Sequence, residues 1–240
     1  MVLPVKHRIC ILTYDIPHLK TAQVLLGLYN RGFRGIDLLL MPFNKRPERT
    51  VILRHRPAQF EGPDPRSLAN FIGGSVFEYE KWPRLQNNYD WFLVYGSNLI
   101  EPSFADSGKI LNVHSGLIPS VRGLDSFKWA ILHGQPLGNT LHKIDSRPDA
   151  GEVVCHLPTP VFPEDDLKTL AQRHYENEIW MLANFDSLLQ KPFILALPEN
   201  EPTMRMPVAS ESSMVRAFDD YKRQYAPSAR VSAGEEQDAA

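Results

Sequence analysis

Two apolar runs of strand length bracket a helical pattern near the start of the chain, and that arrangement constrains the fold more than any other feature. Residues 8–14 (RICILTY) are rich enough in Ile and Leu to be buried on both faces of a sheet. Over residues 18–29, Leu19, Val24, Leu25 and Leu28 recur at helical spacing, and Gly32 supplies a stop. Residues 36–41 are the second buried run. A strand, a helix and a strand in so short a span form a βαβ unit, whose right-handed crossover makes the strands parallel. Further strands are expected at 75–79, 91–95, 108–113, 137–144 and 152–157. Residues 163–190 read as one long helix, with Glu164, Asp165 and Asp166 in its first turn. Its apolar stripe (Leu167, Leu170, Ala171, Tyr175, Ile179, Leu182, Phe185) reads as core packing. The expected fold class is α/β: a Rossmann-like, mostly parallel sheet flanked by helices, with a short C-terminal extension.

Composition narrows the function classes. The 240 residues suit one α/β domain with an appendage, divided here as 1–192, a strand-and-helix extension 193–226, and a small, polar, acidic tail 227–240 read as disordered and dispensable. Within the extension, 193–197 is a strand candidate, 198–207 is extended, and Ser212 is placed to cap a helix bearing Met214, Val215, Phe218 and Tyr221. A net charge of −2 exerts no pull toward nucleic acid or an anionic membrane. No run of about eighteen apolar residues is present, and the N-terminus has no apolar leader pattern. A cytoplasmic location is expected, with Cys10 and Cys155 as free thiols. Paired Cys or His motifs are lacking, so no metal is expected and a zinc site from His114 and His142 is unsupported.

The stretch 108–154 holds the candidate chemistry. An apolar run (Ile110, Leu111, Val113) carries Asn112 and His114 to the carboxyl end of a strand. There i and i+2 share a face and active sites of open α/β sheets lie. A loop with Pro119 and Gly123 follows, then an amphipathic helix over 125–133, then a strand with His142 and a loop with Asp149 before Gly151. Asparagine, histidine and aspartate are residue types that hold, polarise and deprotonate a small electrophile. Residues 43–65 form a long proline-marked loop dense in Lys45, Arg46, Arg49, Arg54 and Arg56. It reads either as solvated surface or as a seat for an anionic group such as a diphosphate.

The ordered block N-x-H-x-x-L-x-P-x-x-R-G, W-A-I, G-x-T-x-H and D-x-G resembles the formyltransferase family that uses N10-formyltetrahydrofolate. It is carried by Asn112, His114, Leu117, Pro119, Arg122, Gly123, Trp129, Ala130, Ile131, His142, Asp149 and Gly151. The resemblance implies N10-formyltetrahydrofolate as co-substrate. It implies catalysis by Asn112 as a neutral donor to the developing oxyanion, His114 as proton acceptor, and Asp149 as its partner. It further implies folate contacts from Tyr95, Gly96, Asn98 and Ile100, with His142 behind them as the support of Asp149. Arg49, Arg54, Arg56 and Arg122 are the acceptor-binding candidates.

The turn after the first strand, TYDIPHLK, lacks the glycine-rich phosphate loop of members acting on glycinamide ribonucleotide. From Glu201 onward acidic residues outnumber basic ones, unlike the RNA-binding part of methionyl-tRNA formyltransferases. What remains is a nucleotide-linked deoxyamino sugar, formylated for O-antigen or another surface polysaccharide, and the overall resemblance in size, short C-terminus and basic 45–56 loop implies GDP-perosamine as that acceptor. Alternatives are a methionyl-tRNA or glycinamide ribonucleotide formyltransferase, or a formyl-folate hydrolase. No nucleic-acid or membrane partner is expected, and a homodimer is left open.

Overall fold

A computed structural model of the chain describes residues 7–227 except 46, 48, 190–193 and 197–199. The expected tail, apart from Pro227, lies outside the described residues. Its strands are β1 (Ile9–Tyr14), β2 (Asp37–Met41), β3 (Val76–Glu78), β4 (Trp91–Val94), β5 (Ile110–His114), β6 (Gly138–Lys143), β7 (Gly151–Pro158) and β8 (Ile194–Ala196). They form one sheet in the order β3-β2-β1-β4-β5-β6-β7-β8. Pairing is parallel from β3 through β5 and antiparallel from β5 through β8. The expected α/β class and the parallel β1/β2 unit are therefore present.

Strand alternation divides the sheet's side chains between two cores. Ile9, Ile11, Leu38, Leu40, Leu93, Leu111 and Val113 pack with α1 (Leu19–Asn30), α2 (Pro65–Phe71) and α6 (Leu167–Ala183). Cys10, Leu12, Leu39, Met41, Phe92, Val94 and Ile110 face the other way, against α3 (Trp82–Leu85) and Phe104 of α4 (Pro102–Ala105). Covering both faces is what makes these runs continuously apolar. A third cluster joins α5 (Ser126–Leu132) to α8 (Val208–Tyr225) through Phe127, Ala130, Ile131, Met214, Phe218 and Tyr221.

Several expected boundaries shift for local reasons. The long helix begins at Leu167, because Asp166 caps it by accepting from the Thr169 N–H at 2.7 Å. The three acidic residues precede the helix, and Asp165 instead accepts from the Phe162 N–H and pairs with Arg173. The helix ends at Ala183, and Asn184 separates it from a short α7 (Phe185–Leu188). Helix α8 starts at Val208, directly after Pro207, so Ser212 lies within it and its hydroxyl donates to the Val208 carbonyl instead of capping. Helix α2 begins where the expected 43–65 loop ends, in residues for which no element is expected: Asp64 caps it and Pro65 opens it, a signal the sequence does carry. The strand expected at 193–197 is present as Ile194–Ala196, residues 193 and 197 lying outside the described residues.

Candidate active site

Strands β4 and β5 end side by side, and the loops that follow them enclose a cavity of about 600 Å3. On β5, Ile110, Asn112 and His114 share one face while Leu111 and Val113 enter the opposite core. Asn112 lines the cavity together with Val94, Asn98, Leu99, Ile100, Asp149 and the segment Pro202, Thr203 and Met204. His114 is buried at its edge, with Nδ1 3.2 Å from Asp149 Oδ1. Its Nε2 is 3.1 Å from the Val121 carbonyl and 3.2 Å from Ser126 Oγ. The Ser126 hydroxyl proton goes to the Gly123 carbonyl, so Oγ is an acceptor toward the ring. Each nitrogen of the His114 ring thus faces an oxygen acceptor.

Asp149 is fixed from several directions. Its Oδ2 accepts from the Gly123 N–H at 2.9 Å, and its backbone lies in the left-handed region, φ 43°. Burial would raise its carboxyl, but His114, His142 and the Gly123 amide outweigh that and hold it down at about 2. Gly151 closes the loop with φ 94°, where a Cβ would lie 2.2 Å from the Lys143 carbonyl oxygen.

His142 pairs directly across from Asn112 in the β5/β6 register. Its Nδ1 donates to the Ala150 carbonyl at 2.9 Å, which leaves Nε2 as an acceptor for the Asn112 amide at 3.2 Å. This tautomer fixes the orientation of Asn112: Nδ2 donates to His142, and its second N–H and Oδ1 remain for the cavity. Burial and the charge of His114 push His142 down to about 4, so it is neutral at pH 7.

The structure separates the expected contact residues. Asn98 and Ile100 line the cavity with Asn112 and Asp149. Tyr95 does not: it follows Val94 on the alternating strand and enters the α1/α6 core, 1% exposed. Gly96 lies under other rings, since a Cβ there would come within 2.8 Å of Tyr14. His142 is 1% exposed, so it has no face for a ligand; its hydrogen bonds go to Asn112 and the Ala150 carbonyl, and it acts on Asp149 electrostatically. Arg122 is buried and donates to backbone carbonyls. Arg49 bonds the Met206 carbonyl and Asp125, and Arg56 pairs with buried Glu178 at 2.7 Å. Arg54 alone of the four is exposed without a hydrogen bond or ion pair among the described residues.

The wall formed by Pro202, Thr203 and Met204 went unseen in the sequence, where it reads only as an extended segment. No local pattern marks it, because its place depends on contacts with residues some eighty positions away. The cavity suits a flat, partly polar ligand. Val94, Ile100, Ala105 and Ile144 supply apolar walls, while the Leu99 and Ile100 N–H groups donate to no other group among the described residues.

Three buried histidines set an acid limit on the fold. Burial pushes His18 down to about 3 and His142 and His174 to about 4, against an ordinary 6.5. On acidification the unfolded chain binds these protons first, so the stability is present above pH 6.5 and is lost as pH falls toward 4. Urea unfolding is expected to show a loss on the order of 2 kcal/mol per histidine between about pH 7 and pH 5. A flat profile over that window would contradict it.

Residues 91–185 match the family model "Formyl transferase". Phosphoribosylglycinamide formyltransferase of Haemophilus influenzae is 35% identical over 83 residues, 33% of this chain and 39% of the relative. Methionyl-tRNA formyltransferase of Koribacter versatilis is 35% identical over 91 residues, 38% of this chain and 29% of the relative. The matches thus span well under half the length of these relatives. An N-formyltransferase of Helicobacter canadensis shares the fold with a TM-score of 0.60 at 15% identity, covering 89% of this chain and 81% of that one. A sugar N-formyltransferase of Shewanella sp. does so with a TM-score of 0.55 at 15% identity, covering 87% of each. The matched segment carries Asn112, His114, His142 and Asp149, the residues the structure brings together around β5 and β6, and over residues 91–185 the chain is similar to the formyl transferase family.

Proposed function

We propose that this chain transfers a formyl group from N10-formyltetrahydrofolate to the amine of a nucleotide-linked deoxyamino sugar. The observation that carries the reading is the cavity itself: Asn112 and Asp149 open onto it, and Asp149 is paired with His114 at its edge. Bound there, the folate supplies an activated formyl carbon. The remaining N–H of Asn112 is a donor for the oxygen that gains charge during transfer. His114 accepts the proton of the attacking amine at one ring nitrogen, with Asp149 ionised beside it to balance the charge, and gives it up to the folate N10 as the bond between N10 and the formyl carbon breaks. His142, neutral and fixed by Ala150, keeps the Asn112 amide turned the right way.

A nucleotide-linked acceptor is favoured by two features. The turn after β1 carries no glycine for close approach to a phosphate, unlike the phosphate loop of glycinamide ribonucleotide enzymes. The fold is shared with the Helicobacter canadensis protein, whose structure holds folinic acid and dTDP-3-aminofucose. GDP-perosamine is the first acceptor to offer. The sequence matches to phosphoribosylglycinamide and methionyl-tRNA formyltransferases keep those acceptors as the second reading. Incubating the protein with formyl-folate and a panel of nucleotide amino sugars, glycinamide ribonucleotide and methionyl-tRNA decides between them. Amine-dependent turnover with a nucleotide sugar supports the proposal, whereas turnover confined to another acceptor, or hydrolysis without one, refutes it.

Of Arg49, Arg54 and Arg56, Arg54 is the one available to the acceptor's diphosphate, being exposed and without a hydrogen bond or ion pair among the described residues. Arg54→Ala is expected to raise the acceptor KM by about tenfold or more, with kcat near wild type. An unchanged KM assigns the residue to plain solvated surface.

A further inference from the structure

The segment from Asn200 to Met206 belongs to no helix or long strand, yet it supplies a wall of the cavity through Pro202, Thr203 and Met204. It runs beside Gly123 in a parallel bridge. The Thr203 N–H donates to the Arg122 carbonyl at 2.9 Å, and the Leu124 N–H donates to the Thr203 carbonyl at 2.8 Å. The strands of this bridge touch closely enough that a Cβ on Gly123, at φ 92°, would lie 2.3 Å from the Thr203 N and O. On its other side Gly123 gives its N–H to Asp149.

Between these two walls lies the guanidinium of Arg122. The residue is 6% exposed. Nη2 donates to the Pro148 carbonyl at 2.6 Å and Nε to the Asp149 carbonyl at 3.0 Å, while Nη1 donates to the Asn200 carbonyl at 2.8 Å. One side chain therefore reaches the loop that presents Asp149 and the segment that closes the cavity opposite it. The planar fork of donors makes this possible, and an ammonium at the same place would satisfy only part of the set. Asp149 needs such support, because a non-glycine residue in the left-handed region costs about 1 kcal/mol or more and persists only when its surroundings hold it.

We propose that Arg122 is a positioning residue that couples the 200–206 strap to the Asp149 loop, so that the cavity wall and the Asp149–His114 pair form as one unit. This rests on the reading of the cavity as the site of formyl transfer, but the coupling itself is measurable without any substrate.

Native-state hydrogen exchange in low urea on the full chain tests it. The Gly123 and Ser146 amides report the loop side, since they donate to Asp149 and Asp106. The Thr203 and Met206 amides report the strap, donating to the Arg122 carbonyl and Asp125. In the unmodified protein the four are expected to share one opening constant, distinct from that of Tyr95, whose amide bonds Leu12 in the core. In Arg122→Lys the two sets are expected to separate, each exchanging about tenfold faster or more, with Tyr95 unchanged. If the variant does not fold, the unmodified protein decides: different opening constants for loop and strap overturn the coupling, a common one supports it. An Arg122→Lys protein that keeps one common opening, or that loosens Tyr95 to the same degree, also overturns it. Kinetics give the second readout: a fall in kcat of about 10–100-fold with acceptor KM near wild type, where a purely structural role would lower active fraction and leave both constants alone. Separated exchange without any formyl transfer would uphold the coupling and refute the functional reading.

Discussion

His114→Ala is expected to lower kcat by about 10²–10⁴ while leaving folate affinity close to wild type. The ring sits between Asp149 and the Val121 carbonyl, so its removal deletes the proton acceptor without opening the apolar walls that hold the co-substrate. Asp149→Asn should be similarly severe. Asparagine tolerates the left-handed backbone at this position, so the variant removes charge without adding strain. Asn112→Ala removes the neutral donor and should cost about 10²–10³ in kcat. Because His114 and Asp149 act as a pair, the double variant His114→Ala/Asp149→Asn should be little worse than the poorer single one. Measuring kcat and folate Kd across the set tests the assignment. Near-normal turnover by His114→Ala, or multiplying losses in the double variant, would remove it.

Glu211→Ala is expected to destabilise the fold by about 3–5 kcal/mol. Glu211 is fully buried in the first turn of α8, where it pairs with Lys128 of α5 and accepts from the Ile52 N–H at 2.5 Å. Arg49 approaches the same carboxylate at 3.8 Å and also bonds Asp125. Truncation leaves Lys128, 1% exposed, as a buried cation without its partner, and frees an amide of the 43–64 loop. The double variant Lys128→Met/Glu211→Leu should recover much of the loss, since removing both charges leaves no uncompensated ion. Urea unfolding supplies the measurement. A loss under about 1 kcal/mol for the single variant would show that α8 is held by its apolar face alone.

These two sets of residues show how unevenly the chain announces itself. Asn112 and His114 are legible because strand periodicity alone puts i and i+2 on one face at a strand end. Tyr95 fails by the same rule: one residue beyond Val94, it must point to the other face, and a reading by proximity in sequence misses that. The arginines mislead for a different reason. Sequence shows that Arg49, Arg56 and Arg122 carry charge, but not that Asp125, Glu178 and three backbone carbonyls already occupy them.

By itself the sequence determined the α/β class, the parallel β1-α1-β2 unit and the placement of Asn112 and His114 on one face near a strand end. Each of these follows from local periodicity, turn chemistry and the sterics of short connections. Only the tertiary structure decided that His142 supports Asn112, that Glu211 binds α8 to α5, and that residues 202–204 wall the cavity. Those arrangements join positions far apart in the chain, and a buried hydrogen bond or ion pair between distant residues leaves no spacing for a local pattern to reveal.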